Sequence, residues 1–264
     1  MNYFQKLAAR SRAVDSLVCV GLDPDFDRHD VASVAAYNRE IIQATLPYAA
    51  CYKPNLAFYE QWGVQGLRAL EATLAHIPPE VPVIGDAKRG DIGSTARAYA
   101  RALFEAWGFD AATVNPYLGR DATQPFLDYQ NRGVYIVCRT SNPGAADVQN
   151  LALEPGGLLF EHLALTAVSW GGNVGFVVGA TAPDELRRVR ELVPAAPLLI
   201  PGVGAQGGDA RAVVAAAGGV PGMVVVNASR SIYYAGEGAR FAESAADAAR
   251  RLRDELRAGV ASTP

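Results

Sequence analysis

The sequence predicts an α/β protein folded as a single (β/α)8 TIM barrel, because of its length, its eight apolar runs and the helical segments between them. A length of 264 residues is close to the ~250 typical of one such barrel. Near-continuous apolar runs are typical of parallel strands that helices cover on the outside. Eight strands in this length favour a closed barrel over an open doubly wound sheet. The runs occupy residues 16–23, 50–55, 81–88, 111–117, 133–140, 173–180, 196–204 and 222–229.

Segments with a helical pattern separate the apolar runs. They are residues 56–75, about 157–169, 183–193 and 241–260. In the last of them Leu252 and Leu256 lie one turn apart, which predicts a helix that closes the fold. The long connection 141–172 is expected to combine an active-site loop with its helix. No change of composition divides the chain, so residues 1–264 are predicted to form one catalytic domain with a frayed tail.

Composition and charge exclude several kinds of partner. The formal net charge is −3, which provides no positive surface for nucleic acid or for an anionic membrane. Residues 1–16 lack the apolar core of a signal peptide, and no run of 18 apolar residues is present to span a membrane. An anionic ligand would therefore need a local cluster of Lys and Arg side chains.

The three cysteines, Cys19, Cys51 and Cys138, lie in apolar runs without a CxxC spacing. An odd number of cysteines in such runs predicts buried, reduced thiols. Reduced thiols in turn predict a cytoplasmic protein.

Charged or polar residues stand where the strands are predicted to end. Barrel enzymes carry their chemistry at this end of the strands. A charge at the end of an apolar strand is costly to bury without a partner, so a large set of them favours a functional site over isolated surface ion pairs. The residues are Asp23, Lys53, Asp86, Lys88, Asn115, Arg139, Ser141, Gln206 and Arg230.

The densest of these clusters is residues 85–91, Gly-Asp-Ala-Lys-Arg-Gly-Asp. Side chains of a strand alternate between its faces, so Asp86 and Lys88 are expected to project the same way, about 7 Å apart along the strand. The glycine before Asp91 permits a turn that can re-aim its side chain. A salt-bridged loop on the barrel rim would give the same pattern. Lys53 favours a site, because it would complete an alternating set of two lysines and two aspartates in one barrel mouth.

An alternating set of lysines and aspartates allows all four groups to remain charged when water is excluded. A lysine flanked by carboxylates keeps its proton, which suits a general acid and argues against an imine-forming aldolase mechanism. A metal site is the alternative, since Asp23, Asp86 and Asp91 could hold Mg²⁺ through oxygen. The interleaved lysines would compete with that ion, and the sequence has no dinucleotide or P-loop motif. Neither a metal nor another cofactor is expected.

Glycine-rich segments after the seventh and eighth strands predict a phosphate site. They are residues 201–208, Pro-Gly-Val-Gly-Ala-Gln-Gly-Gly, and residues 227–232, Asn-Ala-Ser-Arg-Ser-Ile. Loops at these positions often bind phosphate in such barrels, and glycines let backbone N–H groups approach its oxygens closely. Arg230 could add a bidentate contact. Glycine-rich segments can also be simple turns, but two of them on adjacent strands favour the site.

Residues 86–92, DAKRGDI, resemble the D-x-K-x-x-D-I signature of the orotidine 5′-phosphate decarboxylase family, in the form found in its second sequence branch. The resemblance extends over most of the chain, and its segments stand in the order that the family requires. They are residues 20–25 (VGLDPD), 52–60 (YKPNLAFYE), 114–121 (VNPYLGRD), 141–145 (SNPGA), 201–209 (PGVGAQGGD) and 229–232 (SRSI).

The resemblance implies decarboxylation of orotidine 5′-phosphate to uridine 5′-phosphate, the last step of de novo UMP synthesis, by a homodimer without cofactor or metal. Lys88 would protonate C6 of the pyrimidine as CO2 leaves, and Asp86 would lie against the substrate carboxylate. Lys53 and Asp91 would complete the charged set. Asp91 and Thr95 would reach into the partner subunit's site and touch the ribose.

The resemblance also implies a set of substrate contacts. They are Asp23 and Lys53 to ribose hydroxyls, Ser141 to the pyrimidine ring, Gln206 with Arg230 to the 5′-phosphate, and Asn115 as a further contact. The sequence departs from the commoner branch at residues 89–90, Arg-Gly, which replace small apolar residues. Two other interpretations remain. One is a metal-dependent relative such as 3-keto-gulonate 6-phosphate decarboxylase or hexulose-phosphate synthase, and the other is a non-catalytic barrel that binds a phosphate ligand.

Overall fold

The computed structural model describes residues 1–154, 156–204 and 208–261. Its strands are β1 (Val18–Gly21), β2 (Cys51–Lys53), β3 (Ile84–Arg89), β4 (Ala111–Val114), β5 (Gly133–Arg139), β6 (Val174–Val178), β7 (Leu198–Pro201) and β8 (Val224–Ala228). Within the described residues these eight parallel strands form one sheet in the order β2-β1-β8-β7-β6-β5-β4-β3. Each strand falls inside or beside a predicted apolar run, and the predicted (β/α)8 TIM barrel is confirmed.

Helices alternate with the strands along the chain. They are α1 (Tyr3–Val14), α2 (Val31–Thr45), α3 (Ala57–Glu60), α4 (Gly63–Leu74), α5 (Gly93–Arg101), α6 (Arg120–Leu127), α7 (Leu159–Ala167), α8 (Pro183–Leu192), α9 (Ala210–Ala217), α10 (Arg230–Tyr233) and α11 (Phe241–Ala261). A π-helical segment, Ala102–Ala106, continues α5, and two 3₁₀ segments are Pro143–Asp147 and Gly238–Arg240. The predicted helical segment 56–75 is helical but divides into α3 and α4, because Gly63 has a φ of 58°, and this left-handed conformation interrupts a right-handed helix.

The sheet separates two apolar clusters. On β5, Val134 and Ile136 belong to the larger cluster, which lies between the strands and the helices. Tyr135 belongs to the smaller cluster inside the barrel. This alternation follows from the period of two in a strand. The near-continuous apolar runs of the sequence therefore reflect strands that are buried on both faces.

Helix α1 closes the amino-terminal end of the barrel. Its residues Tyr3 and Leu7 pack into the inner cluster, and the Tyr3 hydroxyl lies 3.2 Å from that of Tyr135. The helix begins with a capping box formed by Asn2 and Gln5, which satisfies backbone N–H groups of the first turn. Because this end is filled, the barrel opens at the carboxyl ends of its strands, and we call that opening the barrel mouth.

The barrel closes between β2 and β3, where backbone pairing is sparse. In the described residues these two strands are joined by isolated bridges rather than by a continuous ladder. Two ion pairs cross the same seam: Lys53 at the end of β2 with Asp86 on β3, and Glu60 on α3 with Arg89 on β3. Side-chain charges therefore supplement the backbone where the barrel meets itself.

Two simpler features concern the cysteines and the lengths of the helices. Cys19, Cys51 and Cys138 are buried and free, as the apolar runs around them predict. In the part of the chain that the structure describes, no helix is both long and apolar enough to cross a membrane.

Candidate active site

A carboxylate held between two ammonium groups lies at the barrel mouth. Oδ2 of Asp86 is 2.6 Å from Nζ of Lys53, and Oδ1 is 2.5 Å from Nζ of Lys88. The side chains of Lys53 and Asp86 are 4% and 10% exposed, whereas that of Lys88 is 47% exposed. We call these three residues the Lys–Asp–Lys cluster. It consists of one buried ion pair and one cation that is open to the mouth.

Mutual attraction keeps the buried pair ionised. Burial alone would raise the pKa of Asp86, but the charges of Lys53 and Lys88 outweigh burial and hold that pKa well below its usual value. Burial alone would lower the pKa of Lys53, but the carboxylates of Asp86 and Asp23 outweigh it and raise that pKa. Asp86 is therefore a carboxylate and Lys53 an ammonium at neutral pH.

Asp23 follows β1 and is buried beside the cluster. Its Oδ1 accepts a hydrogen bond of 3.1 Å from the backbone N–H of Asn55. Burial raises the pKa of Asp23, while Lys53 and a hydrogen bond from Ser229 act in the opposite direction. Residues that follow β1, β2 and β8 thus meet at one side of the mouth.

Strand β3 is distorted where it carries the cluster. Its pairing with β4 shifts register between Gly85 and Arg89, and Lys88 has a φ of 46°. Such a left-handed conformation is uncommon for a residue with a side chain. Asp86 and Lys88 do project to the same place, as predicted, but the regular strand assumed in that prediction is wrong. Their side chains meet across a bulge, not side by side along a straight strand.

Thr113 on β4 is a residue of this site that the motifs do not reveal. Its hydroxyl donates a 3.0 Å hydrogen bond to Oδ1 of Asp86. It also accepts hydrogen bonds of 3.0 Å from the backbone N–H groups of Ala87 and Lys88. The sequence signal is its place in β4: Ala111 faces the barrel interior, so Thr113, two residues later, faces the same way.

Asp91 and Thr95 lie outside the cluster in the single chain. Oδ1 of Asp91 accepts a 2.8 Å hydrogen bond from the backbone N–H of Ile92, and Thr95 is exposed on α5. No ion pair within the described residues joins Asp91 to Lys53 or Lys88. One chain therefore assembles three of the four predicted charges, and the contribution of Asp91 and Thr95 to a partner's site stays a prediction.

The predicted phosphate residues are described only in part. Arg230 is exposed at the start of α10. This helix is a single turn, so it adds little dipole to an anion site. Gly202 and Gly204 have φ values of 104° and 79°, in the left-handed region that glycine tolerates. Gln206 lies outside the described residues.

The remaining predicted contacts, Ser141 and Asn115, differ in burial and in their neighbours. Ser141 follows β5 and is partly buried. It packs so closely on Gly179 that a Cβ added there would lie 2.8 Å from the Ser141 Cβ. Asn115 follows β4 and is exposed, and its Oδ1 accepts a 3.0 Å hydrogen bond from the backbone N–H of Tyr117. The Asn115 side-chain oxygen is thus engaged in its own turn.

The charged side chains at the mouth include cations as well as the carboxylates that could bind a metal ion. Both carboxylate oxygens of Asp86 contact ammonium groups, which a metal ion would have to displace. In the described ranges, His, Cys, Asp and Glu side chains form no group of three or more that could hold a metal ion.

Comparison with known proteins decides the family. The sequence model of the orotidine 5′-phosphate decarboxylase / HUMPS family matches residues 16–245. The chain belongs to this family. The orotidine 5′-phosphate decarboxylase of Thermomicrobium roseum is 50% identical, with 97% of this chain and 95% of that protein covered. The protein of the same name from Halorubrum lacusprofundi is 52% identical, with 97% and 99% covered.

Solved structures agree with the sequence relatives. The Leishmania donovani OMP decarboxylase matches with a TM-score of 0.88 and 37% identity, and the match covers 100% of both chains. The family and the enzyme class predicted from the signature motif, a carboxy-lyase, are confirmed by these comparisons.

Proposed function

We propose that this chain removes CO2 from orotidine 5′-phosphate to give uridine 5′-phosphate, the last step of de novo UMP synthesis. The observation that carries the proposal is the Lys–Asp–Lys cluster, in which Asp86 lies 2.6 Å from Lys53 and 2.5 Å from Lys88. Family membership supplies the substrate, since relatives that share half of this sequence bear the decarboxylase name.

The substrate would bind with its phosphate at β7 and β8 and its ring over the cluster. Arg230 and Gln206 would hold the 5′-phosphate, Asp23 and Lys53 the ribose hydroxyls, and Ser141 the pyrimidine. Asn115 would contribute weakly, because its side-chain oxygen already accepts a hydrogen bond. Phosphate contacts remote from C6 would supply binding energy that holds the ring against the cluster.

In the chemical step the bond between C6 and the carboxylate breaks, CO2 leaves, and the electron pair stays on C6. No ring carbonyl is positioned to accept that pair as an enolate, so the site must stabilise it electrostatically. The ammonium of Lys88 would do so and would donate its proton to C6. Its contact with Asp86 holds the charge in place before the reaction, so little reorganisation is needed during the step.

Exposure explains why Lys88, not Lys53, is assigned as the proton donor. The Lys88 side chain is 47% exposed, while that of Lys53 is 4% exposed. A donor must regain a proton from water after each turnover, and the buried ammonium of Lys53 is shielded from water. Lys53 is instead suited to neutralising Asp86 and Asp23, whose carboxylates raise its pKa.

The decarboxylation itself is tested by following the fall in absorbance of orotidine 5′-phosphate in the presence of the purified protein. We expect turnover that EDTA leaves unchanged, since the proposed chemistry uses side chains alone. Loss of activity with EDTA and its return with Mg²⁺ would favour the metal-dependent relatives. Absence of turnover together with tight phosphate-ligand binding would favour a non-catalytic barrel.

We also propose that the enzyme is a homodimer in which Asp91 and Thr95 complete the partner's site. Apolar side chains are exposed on either side of Thr95 and in the turn after β4, which begins where the Asn115 N–H bonds to the Arg89 carbonyl, and exposed apolar patches mark protein interfaces. A second copy placed on the patch would cover it and bring Asp91 to the mouth of the other barrel. The exposed residues are Ile92 (59%), Tyr99 (37%), Tyr117 (83%) and Leu118 (48%).

We further propose that residues 1–264 act as one catalytic domain in the cytoplasm. Three free, buried cysteines fit a reducing compartment.

A further inference from the structure

We propose that Thr113 is a positioning residue for the decarboxylation, because its hydroxyl fixes both the Asp86 carboxylate and the backbone turn that carries Lys88. The inference rests on the proposed function and goes beyond the signature motif, in which Thr113 has no part. Thr113 acts through these two residues and not by touching the substrate.

The first step of the argument is the mismatch between β3 and β4. Gly85 pairs with Ala112, and Arg89 pairs with Val114. Three residues of β3 thus face a single residue of β4, which is Thr113. A bulge of this kind leaves backbone groups without ladder partners.

The hydroxyl of Thr113 takes the place of the missing ladder partner. The N–H groups of Ala87 and Lys88 both donate to its Oγ1 at 3.0 Å. These two bonds use both acceptor positions of the hydroxyl, so its proton is directed to Oδ1 of Asp86, 3.0 Å away. Thr113 is 1% exposed, and no bulk water is available to replace these bonds.

The same Asp86 oxygen, Oδ1, also binds the ammonium of Lys88, the proposed proton donor. Oδ1 of Asp86 accepts from Thr113 and also contacts Nζ of Lys88 at 2.5 Å. The backbone of Lys88 has a φ of 46°, a left-handed conformation that is unfavourable for a residue with a side chain. The hydrogen bond from the Lys88 N–H to Thr113 stabilises this turn. One hydroxyl therefore positions both the backbone of Lys88 and the Asp86 carboxylate that pairs with the Lys88 ammonium.

Removal of the hydroxyl is expected to reduce catalysis more than binding. Two buried N–H groups and one carboxylate oxygen would lose a partner, and residues 86–88 would relax toward a regular strand. A displacement of about 1 Å at a reacting group can reduce the rate about 100-fold. The phosphate contacts lie on other strands, so substrate binding would change less than the chemical step.

The test compares Thr113→Val, which keeps the shape of the side chain and removes the hydroxyl, with Thr113→Ser, which keeps the hydroxyl. We expect kcat to fall about 10- to 100-fold in Thr113→Val, with KM and the Kd for uridine 5′-monophosphate within about threefold of wild type. Thr113→Ser should restore most of kcat. Thr123→Val is the matched control, because Thr123 is also fully buried but its hydroxyl bonds only to the Gly119 carbonyl within the described residues.

The outcomes separate this inference from the proposed function. If wild type does not decarboxylate orotidine 5′-phosphate, the proposed function fails. If wild type is active and Thr113→Val keeps its kcat, the positioning role is refuted. Equal losses in Thr113→Val and Thr113→Ser, or a loss of thermal stability with unchanged kcat, would also refute it, because either result would reflect packing alone.

Discussion

At the scale of single residues, Asp86 is the group on which the site depends. It is the shared counter-ion of Lys53 and Lys88 and accepts a hydrogen bond from the Thr113 hydroxyl. Buried charges are tolerated only when each has a partner in good geometry. Asp86 therefore makes the burial of Lys53 possible and holds Lys88 at the mouth.

Replacement of Asp86 by asparagine should destabilise the fold at neutral pH, because it removes the carboxylate that pairs with the buried ammonium of Lys53. We expect the free energy of unfolding to fall by about 3 kcal/mol, measured by urea denaturation. Asp184→Asn is the control: Asp184 pairs with Arg187 at the surface and its side chain is 87% exposed, so the change there should be small.

The loss in Asp86→Asn should depend on pH. The folded-state pKa of Asp86 lies below its usual value of 3.8, so the ionised carboxylate contributes its full stability above about pH 4. Below that pH the unfolded chain binds a proton first, and the contribution disappears as the pH falls toward the folded-state pKa. The difference in unfolding free energy between wild type and Asp86→Asn should therefore shrink below pH 4. A difference that stays constant down to the lowest pH at which the chain folds would contradict this account.

At the scale of elements, the sequence predicts strands and strand ends well, but not their distortions. Apolar runs locate all eight strands, since burial on both faces leaves a continuous signal. The bulge in β3 has no such signal. It depends on the register with β4 and on the Thr113 hydroxyl, which are properties of two strands together. The sequence does not reveal the break at Gly63 either, because one glycine can also be tolerated inside a helix.

The junction of β1 with the segment after β8 shows how closely elements meet beside the site. A Cβ added to Gly21 would lie 1.9 Å from Oγ and 2.6 Å from Cβ of Ser229. Ser229 also forms a hydrogen bond with Asp23 and directly precedes Arg230. A glycine at this position therefore allows β1 and the segment after β8 to approach each other at the mouth.

Gly21→Ala should displace Ser229 and open this junction. We expect the free energy of unfolding to fall by about 1–3 kcal/mol and KM for orotidine 5′-phosphate to rise, measured by denaturation and by steady-state kinetics. Gly172→Ala is the control, since a Cβ there would meet nothing within 4 Å and Gly172 is not among the residues with positive φ. Equal behaviour of the two variants would show that the close approach at Gly21 is unimportant.

At the scale of the whole molecule, the barrel brings together residues far apart in the sequence at one end. The sequence predicts this convergence because parallel strands end at the same edge. For the same reason it predicts that Asp23, Lys53, Asp86 and Lys88 meet at the barrel mouth. It does not show which charges one chain can assemble alone. Asp91 illustrates the limit, since its side chain bonds to its own loop in the single chain.

A mixing experiment tests whether Asp91 acts in the partner's site. Lys88→Ala and Asp91→Ala should each be inactive as homodimers. If the two variants exchange subunits freely, half of the dimers are mixed. In each mixed dimer both substitutions fall in one of the two sites, so the second site is intact. Activity should then return to about a quarter of wild type. No recovery, with mixed dimers demonstrated by mass spectrometry, would place Asp91 in its own chain's site.

The turnover number of Lys88→Ala with orotidine 5′-phosphate tests most directly whether the open ammonium of the cluster is the proton donor. We expect kcat to fall by at least about 100-fold while the circular dichroism spectrum stays that of wild type. Lys6→Ala is the control, because Lys6 also forms an ion pair, 2.9 Å from Asp110, but on helix α1 at the closed end of the barrel. Turnover by Lys88→Ala at a rate near that of wild type would contradict the account.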